Sequence, residues 1–399
     1  MGYIGDKYGR KRALELSIFL MAFPTFAMGC LPSYDSIGPV AILLLAITRC
    51  LQGLSVGGQL MSSLVYTLEQ HPKRRWGLYG SYVMAAANVG TLLGGIVGFI
   101  MRATLTDEQL HSWGWRVPFL AGILVSLTGL YLKYYCDEDH AGSHGVHAPP
   151  NPIKAAFGRA NRRSLLSATL VPMLWSAGFY LTFVWLSIFM SDLEVPPLPH
   201  AFLVNSASLA FSVCLVFPLG GIISDRYGRR RIMAIGAVCM GVLSPFMIYV
   251  IGLDNPVAAF FAQSTMGLSL TLWGAPMMAW LVEAFPPEAR LTSVAIGYNI
   301  AQATAGGFSP AIATLLVDRY GEHTPGYILS ALALTSLTGL LIAPSHQHDQ
   351  GEDAYRQPVA EMEQDQHEGG DNEEKTRLHH LGSGRDQFEE DSDSSREII

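Results

Sequence analysis

One arginine stands alone in a long apolar stretch of this sequence. Arg49 opens the run RCLQGLSVGGQ at residues 49–59, inside a segment from 38 to 68 that is nearly free of other charges. A guanidinium is costly in hydrocarbon and is retained where it faces a protein interior, a polar pathway or a partner. Its planar fork suits a carboxylate. Arg49 is therefore a candidate binding residue, and the alternative is a structural arginine satisfied by helix carbonyls.

Polar and small residues follow Arg49 at helical spacing. Gln52 lies three residues further on, so it shares a helix face with Arg49 and can assist it by hydrogen bonding. Gly53 and Gly57 leave a smooth strip on which another helix can approach closely. We expect this helix to pack tightly around one buried cation.

A second group of charged residues belongs to a duplicated loop. The run GYIGDKYGRKR at residues 2–12 returns as GIISDRYGRRR at 221–231, with an offset of 219 throughout. Each copy carries an acid four residues before an arginine, Asp6 with Arg10 and Asp225 with Arg229. Such pairs at a helix start can be ordinary capping and ion-pair arrangements. Two copies at identical spacing indicate two homologous halves.

Two glutamates end corresponding apolar segments of these halves. Glu69 is followed by the basic loop HPKRR, and Glu283 is followed by PPEAR. The ordinary interpretation is exposed pairing with Arg75 or Arg290, and closure of a gate is the alternative.

Other chemistry is not indicated by the sequence. It lacks an enzyme-like arrangement of nucleophile, base and orienting group, a phosphate loop and a metal-ligand set, so we expect no enzyme, cofactor, metal or nucleic-acid partner. The histidines of the segment 137–164 fit a flexible linker better than a metal site. The cysteines are interpreted as small buried hydrophobes. These residues are His140, His144 and His147, and Cys30, Cys50, Cys136, Cys214 and Cys239.

The composition requires a membrane protein. Half of the chain is apolar and 15% is charged, against about a quarter charged in soluble domains. The apolar residues form blocks of about 20 residues or more, enough for helices that cross a bilayer. We therefore predict an all-α, multi-pass membrane protein with ten spans. They are 13–31, 39–68, 78–101, 116–136, 165–191, 202–224, 231–252, 255–283, 291–317 and 325–344.

Basic residues in the loops predict the orientation. Alternate loops hold 17 Lys and Arg residues, and the opposite loops hold 3, which places the first set and both termini in the cytoplasm. The predicted organisation is an N-terminal half at 1–136, a cytoplasmic linker at 137–164, a C-terminal six-helix half at 165–344 and a tail at 345–399. The tail has 16 acids and 5 bases, so we expect an acidic, disordered segment.

The repeat also predicts what is missing. The second loop copy is preceded in its half by two spans and the first copy by none, so we expect that two opening helices are absent and that ten of twelve are present. The paired loops resemble the signature of the major facilitator superfamily, whose fold is two six-helix halves. RCLQGLSVGGQ, WGWRVPFLAG at 113–122, VEAFPPEAR at 282–290 and YNIAQATAGGFSP at 298–310 resemble its metabolite:H⁺ symporter family.

The resemblance implies roles for particular residues. The loop pairs Asp6–Arg10 and Asp225–Arg229 would act as gates. Relatives often carry Glu where this chain has Gln59, so a proton-coupling contribution would be lost at that position. Polar and aromatic residues within the spans would line a cavity near the bilayer middle, although packing is the alternative for the aromatic ones. With Arg49 and Gln52, they are Tyr180, Trp273, Asn299 and Gln302.

The leading interpretation is a secondary transporter of a small organic acid or zwitterion. Members of the metabolite:H⁺ symporter family carry 2-oxoglutarate, shikimate, dicarboxylates, citrate, proline or betaine. The resemblance implies proton-coupled symport by alternating access, and we expect a monomer in the plasma membrane. The alternative is a truncated, non-transporting membrane protein with a regulatory or partner-binding role.

Overall fold

The computed structural model describes residues 1–135, 152–158, 161–193, 198–285 and 290–344. Every regular element in these ranges is helical, which confirms the all-α fold. Ten helices among the described residues are long and apolar enough to cross a membrane, which confirms the predicted number. These spans are Arg10–Gly29, Pro39–Glu69, Lys73–Thr104, Asp107–Tyr135, Arg162–Ser191, Ala201–Tyr227, Arg229–Ile251, Pro256–Glu283, Arg290–Tyr320 and Thr324–Ile342.

Several spans are built from consecutive helical pieces. The α-helices, numbered in chain order, are α1 Gly2–Tyr8, α2 Arg10–Gly29, α3 Tyr34–Ile37, α4 Pro39–Glu69, α5 Trp76–Thr104, α6 Asp107–Gln109, α7 Arg116–Ala121, α8 Val125–Tyr135, α9 Pro152–Ala156, α10 Arg162–Phe179, α11 Leu186–Ile188, α12 Ala201–Leu209, α13 Phe217–Tyr227, α14 Arg229–Ile251, α15 Pro256–Glu283, α16 Arg290–Ala301, α17 Gly307–Tyr320 and α18 Thr324–Ile342.

The duplicated loop has the same backbone conformation in both copies. Gly9 separates α1 from α2 at φ 105° and ψ 144°, and Gly228 separates α13 from α14 at φ 92° and ψ 133°. Glycine has no Cβ and adopts positive φ without steric cost. The sequence repeat is thus also a conformational repeat, in which one glycine at positive φ separates two helices.

Turns of π-helix interrupt several spans that the sequence presents as continuous. One such turn, Tyr180–Trp185, follows α10, and another, Gln302–Gly306, joins α16 to α17. π-Helical turns are uncommon and concentrate at functional sites. Two of the predicted cavity residues, Tyr180 and Gln302, are the first residues of these turns. The other π-helical turns of the described residues are Leu110–Gly114, Phe189–Leu193 and Ala210–Leu215.

The core is centred on α15, which packs against α14, α5, α12, α13 and α10. Met1–Pro344 forms one compact unit. The boundaries of the two halves and of the linker remain predictions, and the tail at 345–399 lies outside the described residues, as do Cys136 and the three linker histidines.

Some expectations about packing are wrong. Arg49 has an exposed side chain rather than a buried one, and a Cβ added at Gly53 would meet no atom within 4 Å. Cys30 and Cys50 are exposed as well. The cysteines are exposed because apolar residues of a membrane bundle can face lipid as well as the protein interior. For Arg49, the sequence gives its place along the span but not which side of the helix packs against protein.

Candidate functional site

The first loop copy binds the start of a helix from the predicted second half. The Asp6 carboxylate accepts hydrogen bonds from the backbone N–H groups of Leu291 at 3.2 Å and Thr292 at 2.7 Å. Arg10 donates to Asp6 Oδ1 at 2.6 Å and to the carbonyl of Gly5 at 2.9 Å. The first N–H groups of a helix have no partner within it. A carboxylate at this position accepts their hydrogen bonds, and its negative charge interacts favourably with the positive end of the helix dipole. Asp6 therefore ties α1 to α16.

The second loop copy makes the reciprocal contact. Asp225 accepts from the backbone N–H groups of Gly77 at 2.9 Å and Leu78 at 3.0 Å, and from Arg229 at 3.1 Å. Gly77 and Leu78 are the second and third residues of α5, as Leu291 and Thr292 are of α16. Each predicted half thus caps one helix of the other.

The two glutamates have different partners. Glu69 binds Arg10 at 3.2 Å and Arg290 at 2.9 Å, whereas Glu283 binds Arg229 at 2.7 Å. The contact between Glu69 and Arg290 joins the two predicted halves, and the contact of Glu283 stays within one. Together these seven charged residues are called the loop-end cluster: Asp6, Arg10, Glu69, Asp225, Arg229, Glu283 and Arg290.

One position breaks the symmetry of the cluster. Trp76 is the first residue of α5 and Arg290 is the first of α16, so they are equivalent in the repeat. The Arg290 guanidinium lies 5.6 Å from the centre of the Trp76 ring, within cation–π range. The helix start of the second half thus offers Glu69 an arginine, Arg290, as a partner. The equivalent helix start of the first half offers Glu283 a tryptophan, Trp76, which is not an ion-pair partner. Arg75, which the sequence offered as a partner for an acid, is exposed.

Glycines permit the close approach at the loop-end cluster. A Cβ added at Gly221 would lie 2.4 Å from the Gly77 carbonyl oxygen, and one added at Gly2 would lie 2.9 Å from the Thr292 Cα. Both distances are far below van der Waals contact, so a larger residue would force the helices apart. The two predicted halves are in direct backbone contact at this end.

Burial governs the electrostatics of Asp6. Desolvation raises the pKa of its carboxyl, and this effect outweighs the opposing influence of Arg10 and of the hydrogen bonds from Thr292 and Leu291. The protonated form of Asp6 is therefore favoured in this arrangement more than it would be in water.

The predicted substrate-binding residues are held in separate contacts. Arg49 donates to Gln52 Oε1 at 3.2 Å, and Gln52 Nε2 donates to Thr25 Oγ1 of α2 at 2.8 Å. The exposed guanidinium is fixed at one nitrogen by this chain of hydrogen bonds. An exposed guanidinium with N–H groups beyond this bond can bind a carboxylate.

The predicted residues of the second half lie in the π-turn after α10, on α15, and along α16 and the π-turn that follows it. Asn299 donates to the carbonyl of Gly57 on α4 and to that of Ala295, so it links the predicted halves. Trp273 is fully buried, and its indole Nε1 has no partner among the described residues; the same holds for Gln302 Oε1. No hydrogen bond within the described ranges joins Arg49 to these side chains.

Sequence reasoning missed several contributors. The partners of the two aspartates are backbone N–H groups, which carry no residue signature, although their place just after a basic loop marks a helix start. Trp76 is recognisable only when the two repeats are aligned on their helix starts. No sequence signal singles out Thr25. The described residues contain no cluster of His, Cys, Asp and Glu that could hold a metal ion.

Comparisons with known proteins give one consistent family. The family model described as Major Facilitator Superfamily matches residues 1–310. The inner membrane metabolite transport protein YhjE of Escherichia coli (strain K12) is 32% identical over 357 residues, which cover 87% of this chain and 80% of that protein. The proline/betaine transporter of the same strain is 28% identical over 349 residues, covering 84% of this chain and 69% of that protein.

Solved structures show the same fold. The proton:xylose symporter XylE bound to 6-bromo-6-deoxy-D-glucose superposes with a TM-score of 0.68 at 19% identity, covering 86% of this chain and 82% of that one. The fucose:proton symporter FucP of E. coli superposes with a TM-score of 0.65 at 13% identity, covering 86% of each chain.

Proposed function

Because this chain belongs to the Major Facilitator Superfamily and is a membrane transporter rather than an enzyme, we propose that it carries a small organic acid or zwitterion by proton-coupled symport. Relatives named as metabolite and proline/betaine transporters support this choice of cargo. The proton:xylose and fucose:proton symporters of the same fold support the coupling. The substrate would bind between the two predicted halves. The protein would act as a monomer in the plasma membrane, with both termini in the cytoplasm.

The reciprocal contacts of Asp6 and Asp225 are the observation that carries the mechanism. Each carboxylate holds the first turn of a helix in the other half through hydrogen bonds to its backbone N–H groups. A transporter that works by alternating access needs a reversible closure at one end. The loop-end cluster would act as the cytoplasmic gate, and the described arrangement would be its closed state.

Arg49 supplies the affinity for an acid in this proposal. A guanidinium fork binds a carboxylate through two parallel hydrogen bonds, and both organic acids and zwitterions carry that group. Gln52 would hold the fork in orientation through its hydrogen bond to Arg49 at 3.2 Å. Asn299, Gln302, Tyr180 and Trp273 would complete the cavity.

The test is uptake into proteoliposomes under imposed gradients. We expect one labelled compound among proline, glycine betaine and 2-oxoglutarate to accumulate when the outside is acidic, and a protonophore to abolish the accumulation. Accumulation that is insensitive to the protonophore would refute proton coupling. Lack of accumulation of any metabolite of this class would refute the cargo.

The orientation has a separate test. Cysteines introduced at the exposed positions Lys73 and Arg226 should resist an impermeant maleimide in sealed cells, and one at Thr106, also exposed, should react. The opposite pattern of labelling would place the loop-end cluster outside the cell.

A further inference from the structure

A glutamine of α15 holds the π-helical turn that carries Tyr180. Gln263 is fully buried, at 0% exposure, and its Nε2 donates to the backbone carbonyl of Thr182 at 2.6 Å. The second N–H of the same amide donates to Asn205 Oδ1 of α12 at 2.7 Å. One side chain thereby connects three membrane spans, through α15, the turn Tyr180–Trp185 and α12.

The contact reaches the backbone where it departs from α-helical geometry. Thr182 lies inside the π-turn Tyr180–Trp185, and π-helical turns are uncommon and concentrate at functional sites. A carbonyl oxygen has two acceptor lone pairs, so that of Thr182 can accept from Gln263 beside any bond within its own helix. The hydrogen bond therefore ties the backbone of the π-turn to α15.

Polar atoms without partners remain around this contact. Gln263 Oε1 and the Thr182 hydroxyl oxygen have no hydrogen-bond partner among the described residues. An apolar residue at position 263 would avoid burying an unpaired oxygen. The amide is thus poorly explained as a device for stability alone, and its geometry is better explained by what it positions.

The π-turn sets the direction of two aromatic side chains. A Cβ added at Gly306 would lie 3.4 Å from the Tyr180 ring, so that ring rests on the end of the second π-turn, Gln302–Gly306. At the other end of the first turn, Trp185 Nε1 donates to Thr314 Oγ1 of α17 at 2.9 Å. A change of one residue in helical register rotates a side chain by about 100°. The two contacts cannot both survive the loss of the π-turn.

We propose that Gln263 is a positioning residue of the substrate site, which holds Tyr180 toward the π-turn of Gln302 by fixing the Thr182 carbonyl. Asn205 supports it by accepting the second N–H of the amide. Gln263 itself is buried and acts through the helix backbone. This inference rests on the proposed function, because Tyr180 and Gln302 are assigned to the cavity there.

The test compares Gln263→Met with Ser264→Ala. Methionine preserves the length of the side chain and removes both N–H donors. Ser264 is the next residue of α15, is buried, and has a hydroxyl without a partner among the described residues, so its alanine variant controls for loss of a buried polar group at the same depth. A third variant, Asn205→Ala, removes only the supporting acceptor.

Two readouts separate positioning from stability. The first is the rate at which a membrane-permeant maleimide labels Tyr180→Cys in a chain whose five native cysteines are serine, which needs no transport. The second is the KM for uptake, with membrane protein quantified. Gln263→Met should change the labelling rate and raise KM by at least about fivefold, the factor expected for one lost hydrogen bond. Ser264→Ala should change neither, and Asn205→Ala should have a smaller effect.

The outcomes are distinguishable. A labelling rate and KM that stay unchanged in Gln263→Met, with or without a loss of membrane protein, would refute the positioning role. Absence of uptake by the unmodified chain would instead refute the proposed function, and the labelling comparison would still decide the geometry. If Gln263→Met does not reach the membrane, Asn205→Ala decides, and an unchanged labelling rate in that variant would refute the proposal.

Discussion

Glu69→Gln should open the loop-end cluster more than the matched variant Glu283→Gln. Glu69 is bound by Arg10 at 3.2 Å within its own half and by Arg290 at 2.9 Å from the other half. Glu283 is bound by Arg229 at 2.7 Å within its own half. Both substitutions remove one charge and keep the shape of the side chain. Only the first weakens a tie between the predicted halves.

The magnitude follows from the burial of the pair. The side chains of Arg290 and Glu69 are 9% and 18% exposed, so solvent screens their interaction only in part. A hydrogen bond to a charged group contributes about 1.5–3 kcal/mol, and an exposed ion pair about 0–1 kcal/mol. We take about 1–2 kcal/mol for the cross-half contact, which corresponds to a shift of roughly 5- to 30-fold in the equilibrium between closed and open forms.

The assay is a distance measurement across the cluster. Spin labels would replace two exposed residues, Arg74 in the short helical turn Lys73–Arg75 and Arg226 in the last turn of α13. Pulsed electron spin resonance would give the populations of short and long separations. Glu69→Gln should increase the long-distance population, and Glu283→Gln should do so much less. An equal or larger shift in Glu283→Gln would refute the assignment of Glu69 as the cross-half tie.

Other perturbations test the remaining contacts. Gly221→Ala should force the same opening, because its Cβ would lie 2.4 Å from the Gly77 carbonyl oxygen, whereas Gly90→Ala, with no atom within 4 Å, should leave the spin-label distances unchanged. For substrate binding, Arg49→Lys should raise the KM for uptake about tenfold by losing the bidentate geometry, and Arg49→Gln should raise it further at constant protein level; unchanged KM values would indicate a structural arginine. Burial raises the pKa of the Asp6 carboxyl above its usual value of 3.8, so the closed form binds a proton at Asp6 more tightly than an open form in which that carboxyl is solvated. A fall in pH therefore favours the closed form, and this effect is lost as pH rises through the raised pKa. The spin-label distances should therefore depend on pH, and Asp6→Asn should weaken that dependence. A pH profile identical to that of the unmodified chain would contradict the role of Asp6.

The sequence by itself determined the membrane architecture and the repeat. Ten spans follow from apolar segments of sufficient length, because the bilayer imposes one requirement on every crossing helix. The duplicated loop places an acid four residues before Arg10 and another before Arg229, which predicts two ion pairs. Both form, Asp6 with Arg10 at 2.6 Å and Asp225 with Arg229 at 3.1 Å. These are local features, since residues four apart on a helix are neighbours whatever the rest of the chain does.

The tertiary structure alone decided what those acids bind. Asp6 and Asp225 bind backbone N–H groups that lie 285 and 148 residues away in the chain, and such groups look alike in every sequence. The exposure of Arg49 and the contact of Gln263 with the Thr182 carbonyl were equally out of reach. Hydropathy fixes which segments cross the membrane, but which face of each helix meets protein rather than lipid depends on side-chain packing between distant segments, because lipid and protein interiors are almost equally apolar.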